Sequence, residues 1–282
     1  MAEAVERYPL GRDTAESKRL NEQHKLIIEI VDGAIDSSIP LDRISSVADV
    51  ATGTGVWLWD AQQALSKIVN SSARYFHGFD ISPAQFPAAP DGIELSVQDV
   101  LAPFPPEHRG RYDLIHVRLL VTALGESEFE TAVRNLLDIL KPGGYLQWVE
   151  IDYTPLYDPK ITHHPKAMPM IQSWTKYMDQ NNISRNAPDV VAQAFETAGL
   201  VKVVNRPFLV RGREDIKARA QAWQLGFWST VMPLVLQRTG DASNGDVASE
   251  KAKEIIADLA AAFTEGEVID VRFGTVIGQK AK

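Results

Sequence analysis

The 282-residue sequence has no cysteine. Disulfides, thiolate metal ligands and a cysteine nucleophile are excluded with it. No apolar run approaches the roughly 18 residues of a membrane-spanning helix. The first residues, MAEAVERYPLGRD, lack the apolar stretch of a secretion signal. Basic clusters are missing as well: Lys+Arg number 29 against 37 Asp+Glu, for a net charge of −8. A broad basic face for duplex DNA or RNA is therefore not expected. These absences point to a cytoplasmic or nuclear protein, monomer or homodimer, that binds no metal, nucleic acid or membrane and works on a small molecule.

What is present is an ordinary core composition, 45% hydrophobic and 23% charged. Five β-rich runs (Val47–Ala51, Tyr75–Asp80, Ile93–Val97, Tyr112–Arg118 and Tyr145–Ile151) alternate with helical ones, clearest at Val56–Val69 and Glu126–Leu140. Lys141-Pro142-Gly143-Gly144 is expected to stop the second helix. The alternation predicts an α/β, doubly wound fold whose parallel sheet carries helices on both faces. Ahead of it, Leu20, His24, Ile27, Ile28 and Val31 mark a helical stripe within residues 14–36. After Ile151 the rhythm breaks into a stretch with Pro155, Pro159, Pro165 and Pro169. Helical patterns follow at 170–181, 187–199, about 213–238 and 248–265, with β-rich runs at 201–210 and 267–279.

Residues 47–60, VADVATGTGVWLWD, join a strand to a helix through Gly53 and Gly55. In doubly wound sheets such a loop lies at the ligand crevice and lets a ligand approach the backbone. A dinucleotide fingerprint needs a third glycine where Leu58 stands, and a phosphate loop needs Gly-Lys-Ser/Thr where Val56-Trp57 stand. An adenosine without a pyrophosphate remains, and S-adenosylmethionine fits it. Asp80 ends the second strand, 27 residues past Gly53, placed to accept from both ribose hydroxyls; Asp99, just past the third strand, can accept from an adenine amino group. Each piece has a plainer reading, a tight turn for the glycines and a helix cap for Asp80 before Ser82-Pro83.

The stretches VADVATGTG, GFDIS, VQDV, YDLIHVRLL and LKPGGYLQWVE, over residues 45–152, resemble the class I S-adenosylmethionine-dependent methyltransferases. The resemblance implies a Rossmann-like seven-stranded sheet with its last strand antiparallel. In the first motif Ala51 and Trp57 replace glycines, which implies a stiffer loop. YPLGRDTAESKRLNEQH is similar to the fungal LaeA-like and secondary-metabolite methyltransferases, including dithiol S-methyltransferases. That likeness implies an N-terminal helical cover at 1–44, a cofactor-binding core at 45–152, a substrate lid and helix at 153–199, and a segment at 200–282 that completes the sheet with a helical insertion. Tyr8, Arg12 or Gln23 would close over the methionine end, with Arg12 a carboxylate partner or simply a surface charge. With Ala51, Gly53, Gly55, Asp80, Ile81, Asp99, Val100 and Arg118, Tyr8 and Arg12 make the expected cofactor set.

The implied reaction is methyl transfer to a thiol or hydroxyl of a small, largely apolar secondary metabolite. The other readings are a methyltransferase-fold regulator of secondary metabolism and a cofactor-retaining pericyclase-type enzyme. A base is needed only for a protonated nucleophile of high pKa. His116, Glu150, Asp152, His163 and His164 are candidates, and none stands out as catalytic. Aromatic and Met residues concentrate after residue 147. Trp148, Tyr153, Trp174, Met178 and Phe227 read equally as core or as lining of an apolar substrate pocket.

Overall fold

A computed structural model describes residues 11–68, 74–88, 92–267, 269, 270 and 272–282. Tyr8 lies outside the described residues. A first helix, α1 (Thr14–Ile30), is capped by Asp13, whose carboxylate accepts from the Glu16 N–H. Five parallel strands with two α-helices among them follow: β1 (Ser46–Val50), α2 (Val56–Ser66), β2 (Tyr75–Asp80), β3 (Ile93–Val97), β4 (Tyr112–Arg118), α3 (Phe129–Ile139) and β5 (Leu140–Asp152). The remaining elements are α4 (Met168–Gln180), α5 (Ala187–Thr197), β6 (Val201–Leu209), α6 (Lys217–Arg238), α7 (Gly245–Thr264) and β7 (Arg272–Gln279).

The seven strands form one sheet in the order β3-β2-β1-β4-β5-β7-β6. The last strand is antiparallel: Gly143 N–H donates to the Lys280 carbonyl and Lys280 N–H to the Gly144 carbonyl. Every residue of β1 is buried, as suits a central parallel strand. Its core gathers Val47, Leu58, Ala61, Leu65, Phe76, Ile93 and Leu114. Leu58, the residue that denied the third glycine, has no exposed surface.

The helix ends at Ile139, just ahead of Lys141–Gly144 as expected, but the segment itself belongs to the strand rather than preceding it. The strand starts at Leu140, opposite Tyr112, and the next pairing is Leu114 with Tyr145, so the segment bulges out of the ladder. Pro142 has no N–H to give a ladder, and a Cβ on Gly144 would lie 2.8 Å from Leu140 and 3.1 Å from the Asp113 carbonyl.

The chain divides into two compact units: the described residues up to Ile151 with 187–208 and 273–282, and residues 152–186 with 209–272. The first holds the sheet. The second is helical, built on α4, α6 and α7. Trp174 is its aromatic centre, with ring centroids 5.1 Å from Trp228, 5.5 Å from Tyr177 and 5.6 Å from Tyr153. Among the described residues no helix is long and apolar enough to cross a membrane, and no three His, Asp or Glu side chains converge as metal ligands.

Candidate cofactor site

The candidate site lies at the carboxyl ends of β1, β2 and β4, where the loop Ala51–Gly55 leads into α2. Three residues of that loop are left-handed: Ala51 (φ 62°), Gly53 (φ 53°) and Gly55 (φ 74°). Ala51 stands where the resembling motif carries glycine, and the reason for that glycine is this φ. A left-handed L-residue costs about 1–2 kcal/mol. Ala51→Gly is therefore expected to stabilise the fold by about 0.5–1 kcal/mol after the glycine's extra unfolded-state freedom is subtracted. A thermal melt checks it; an unchanged or lower Tm would mean that the Ala51 methyl contributes packing of similar size.

The loop is fastened on every side. Thr52 N–H donates to the Phe79 carbonyl at 2.9 Å, and its hydroxyl to Asp49 Oδ2 at 2.7 Å. Gly53 N–H donates to Asp80 Oδ2 at 2.8 Å. The Thr54 hydroxyl donates to Asn21 Oδ1 of α1 at 2.7 Å. A Cβ on Gly55 would meet nothing within 4 Å, so this residue leaves open space beside the backbone. Gly78, in β2 under the loop, is tight by contrast: a Cβ there would lie 2.7 Å from Leu95 and 2.8 Å from Thr52. Gly78→Ala should cost about 1–3 kcal/mol through overpacking. Denaturant unfolding measures that cost, and a neutral result would show that Thr52 can shift freely.

Trp57, the other departure from the motif, is a core residue rather than a crevice residue. Its indole lies flat on the His116 ring at 3.8 Å between centroids, and its N–H donates to the Ala34 carbonyl. His116 is sealed beneath it. Its Nδ1 pairs with Asp49 Oδ1 at 2.7 Å, and burial holds it below the usual histidine range, so the ring is neutral and Nδ1–H donates. Register explains the pair, because Asp49 and His116 are partners across β1 and β4.

Asp80 accepts from Gly53 N–H and, at 3.1 Å, from Ser82 N–H. Burial raises its pKa, against the pull of those two N–H groups and of the Arg12 charge. Asp80 thus fixes the loop, and each of its oxygens keeps a lone pair for a further donor. Asp99 Oδ1 accepts from Leu101 N–H, and Val100 is buried, its carbonyl held by Asn135. Ile81 is half-buried beside Asp80.

Arg118 ends β4. Its Nη1 meets Nδ1 of His24 at 3.0 Å, and His24 Nε2 meets Asp60 Oδ2 at 2.9 Å. Burial, then the Arg118 charge, lowers His24 to about 4, and burial lowers Arg118 to about 10. Neither His24 nor Asp60 stands out in the sequence as a site residue. The one signal is a titratable ring in the apolar stripe of α1, where a buried polar group needs partners.

Glu150, near the end of β5, has no exposed surface. It accepts from Leu120 N–H at 2.6 Å, Val121 N–H at 3.3 Å and the Trp148 indole at 2.9 Å, and burial raises it to about 7. It thereby shapes the turn after β4, where Leu119 is left-handed (φ 57°). Of the other candidate bases, Asp152 pairs with Arg272 at 3.0 Å, His163 with Glu267 at 3.2 Å and His164 with Glu265 at 3.1 Å. Of the candidate substrate residues, Trp148, Trp174 and Met178 are fully buried. Tyr153 is 6% exposed, and Phe227 is half-buried.

Two acidic side chains near successive strand ends, a bare loop at Gly53 and Gly55, and an arginine at the next strand end together fit an adenosine joined to an amino acid. No family model matches the chain. It is 33% identical over 239 residues to the methyltransferase grgD of a Penicillium species, covering 83% of each chain. It is 27% identical over 280 residues to the N-methyltransferase gliN of Aspergillus fumigatus, covering 97% of this chain and 96% of that one. Among solved structures it superposes with a TM-score of 0.50, at 12% identity, on phosphoethanolamine N-methyltransferase 2 of Haemonchus contortus in complex with S-adenosyl-L-methionine. That match covers 93% of this chain and 53% of the other and speaks to the fold.

Proposed function

Since the chain belongs to the S-adenosylmethionine-dependent methyltransferases of fungal secondary metabolism, we propose that it methylates a nitrogen of a small, largely apolar metabolite. The observation that carries the nitrogen is the near end-to-end likeness to gliN, whose name is that of an N-methyltransferase. It takes precedence here over the thiol or hydroxyl expected from the sequence. The chemistry of the crevice agrees. His24 and His116 are each committed to a carboxylate, and Glu150 to three N–H donors. An amine lone pair needs no strong base, whereas a hydroxyl does.

In this reading Asp80 accepts from the ribose hydroxyls and Asp99 from the adenine amino group, flanked by Ile81 and Val100. Gly53 and Gly55 admit the ligand to the backbone beside Ala51, and Arg118 and Arg12 face its carboxylate. When bound, the cofactor supplies an electrophilic methyl group on a sulfonium. The protein's part is to bind, orient and exclude water.

Incubation with S-adenosylmethionine and a panel of amine, amide, thiol and phenol metabolites tests this. A mass gain of one methyl on nitrogen is expected; a gain confined to thiols or phenols would overturn the nitrogen assignment.

A further inference from the structure

One face of α1 is turned onto the crevice. Ser17 accepts from the Gln85 amide at 3.4 Å, and a Cβ on Gly53 would lie 3.6 Å from Leu20. Asn21 accepts from Thr54, and His24 reaches both Arg118 and Asp60. Positions 17, 20, 21 and 24 share a helical face. The last of these contacts is chemically distinct. A guanidinium can only donate, so the His24 Nδ1 that faces it carries no proton, and the proton sits on Nε2, which donates to Asp60. Asp60 thereby fixes the tautomer that lets His24 accept.

Arg118 is left with an unusual set of partners. Among the described residues its one hydrogen bond goes to this neutral ring, and it makes no ion pair. A guanidinium with four N–H donors still to be satisfied, at the strand end beside the glycine loop, is costly to enclose unless an anion meets it there.

We infer that His24 is a positioning residue: by accepting at Nδ1 it aims the Arg118 guanidinium at the carboxylate of the cofactor's amino-acid moiety. The inference rests on the S-adenosylmethionine reading. A neutral ring suits the task, because it orients the guanidinium without neutralising it. A carboxylate in its place would compete with the ligand.

The test compares two ligands by calorimetric titration. S-adenosylhomocysteine carries the carboxylate; 5′-methylthioadenosine keeps the adenosine and thioether and lacks it. His24→Leu should weaken S-adenosylhomocysteine about tenfold, the scale of one charge-assisted hydrogen bond, and leave methylthioadenosine within about twofold. His24→Asn, whose amide oxygen can stand near the position of Nδ1, should restore affinity. His24→Gln, which reaches towards Asp60 instead, should not. Equal weakening of both ligands, or better rescue by Gln than by Asn, would overturn the inference. Should the His24 variants fail to fold, Asp60→Ala serves: it frees the tautomer and should lower the preference for S-adenosylhomocysteine over methylthioadenosine. An unchanged preference would count against the inference. Wild-type protein that bound neither ligand would instead sink the cofactor reading itself.

Discussion

Replacing Glu150 with alanine is expected to destabilise the fold by about 3–5 kcal/mol, because three buried donors lose their acceptor at once. Leu120 N–H, Val121 N–H and the Trp148 indole all converge on this carboxyl, and it has no exposed surface. Unfolding in urea measures the loss, and a cost under about 1 kcal/mol would mean that the turn finds other acceptors. The same group makes a pH signature. Its carboxyl is raised by burial from 4.5 to about 7 in the folded protein. Between those values the folded state holds a proton that the unfolded chain has released. The group's contribution is thus fully present below pH 4.5 and is lost as pH rises through about 7, amounting to about 3 kcal/mol. His24 and His77 act in the opposite sense. Each is lowered from 6.5 to about 4, so their contribution grows as pH rises from 4 to 6.5. The Glu150 contribution is therefore read as wild type minus Glu150→Gln across pH 4.5 to 7.5. A flat difference would place the carboxyl in its ordinary range.

The second large effect is on the cofactor. Asp80→Ala is expected to weaken S-adenosylmethionine binding by about 1–3 kcal/mol for the unpaired ribose hydroxyls alone. The structure adds to this, because the same carboxylate holds Gly53 N–H and Ser82 N–H. Losing it releases the glycine loop as well. Asp80→Asn separates the two roles: one amide oxygen can still accept from Gly53, while the neighbouring NH2 can only donate to the ribose. Loss in both variants points to the ribose; loss in alanine alone points to the loop. Unchanged calorimetric affinity in both would reduce Asp80 to a cap on Ser82.

Much of this site was legible because its signals are local. Glycine spacing, an acidic residue at a strand end and a β-α alternation are each contained in a few consecutive residues. The missing glycines were legible only as departures. Ala51 proves to be a strained left-handed residue and Trp57 a lid on His116, two outcomes that the same kind of substitution conceals. The Lys141–Gly144 segment was legible in part: the helix ends before it, at Ile139, but its place inside the strand was not. Proline and glycine mark a break in regular structure, yet they do not say whether the break ends a helix or bulges a strand.

By itself, then, the sequence determined the doubly wound sheet and the placing of Gly53, Gly55, Asp80 and Asp99 at or just past strand ends, since periodicity and turn chemistry are properties of neighbouring residues. Only the tertiary structure decided the rest. The Asp49–His116 pair spans 67 positions and the Arg118–His24 contact 94, and the triple hold of Glu150 on the turn after β4 reaches back 30. Such contacts depend on strand register and on where a helix docks, and no local pattern carries that information.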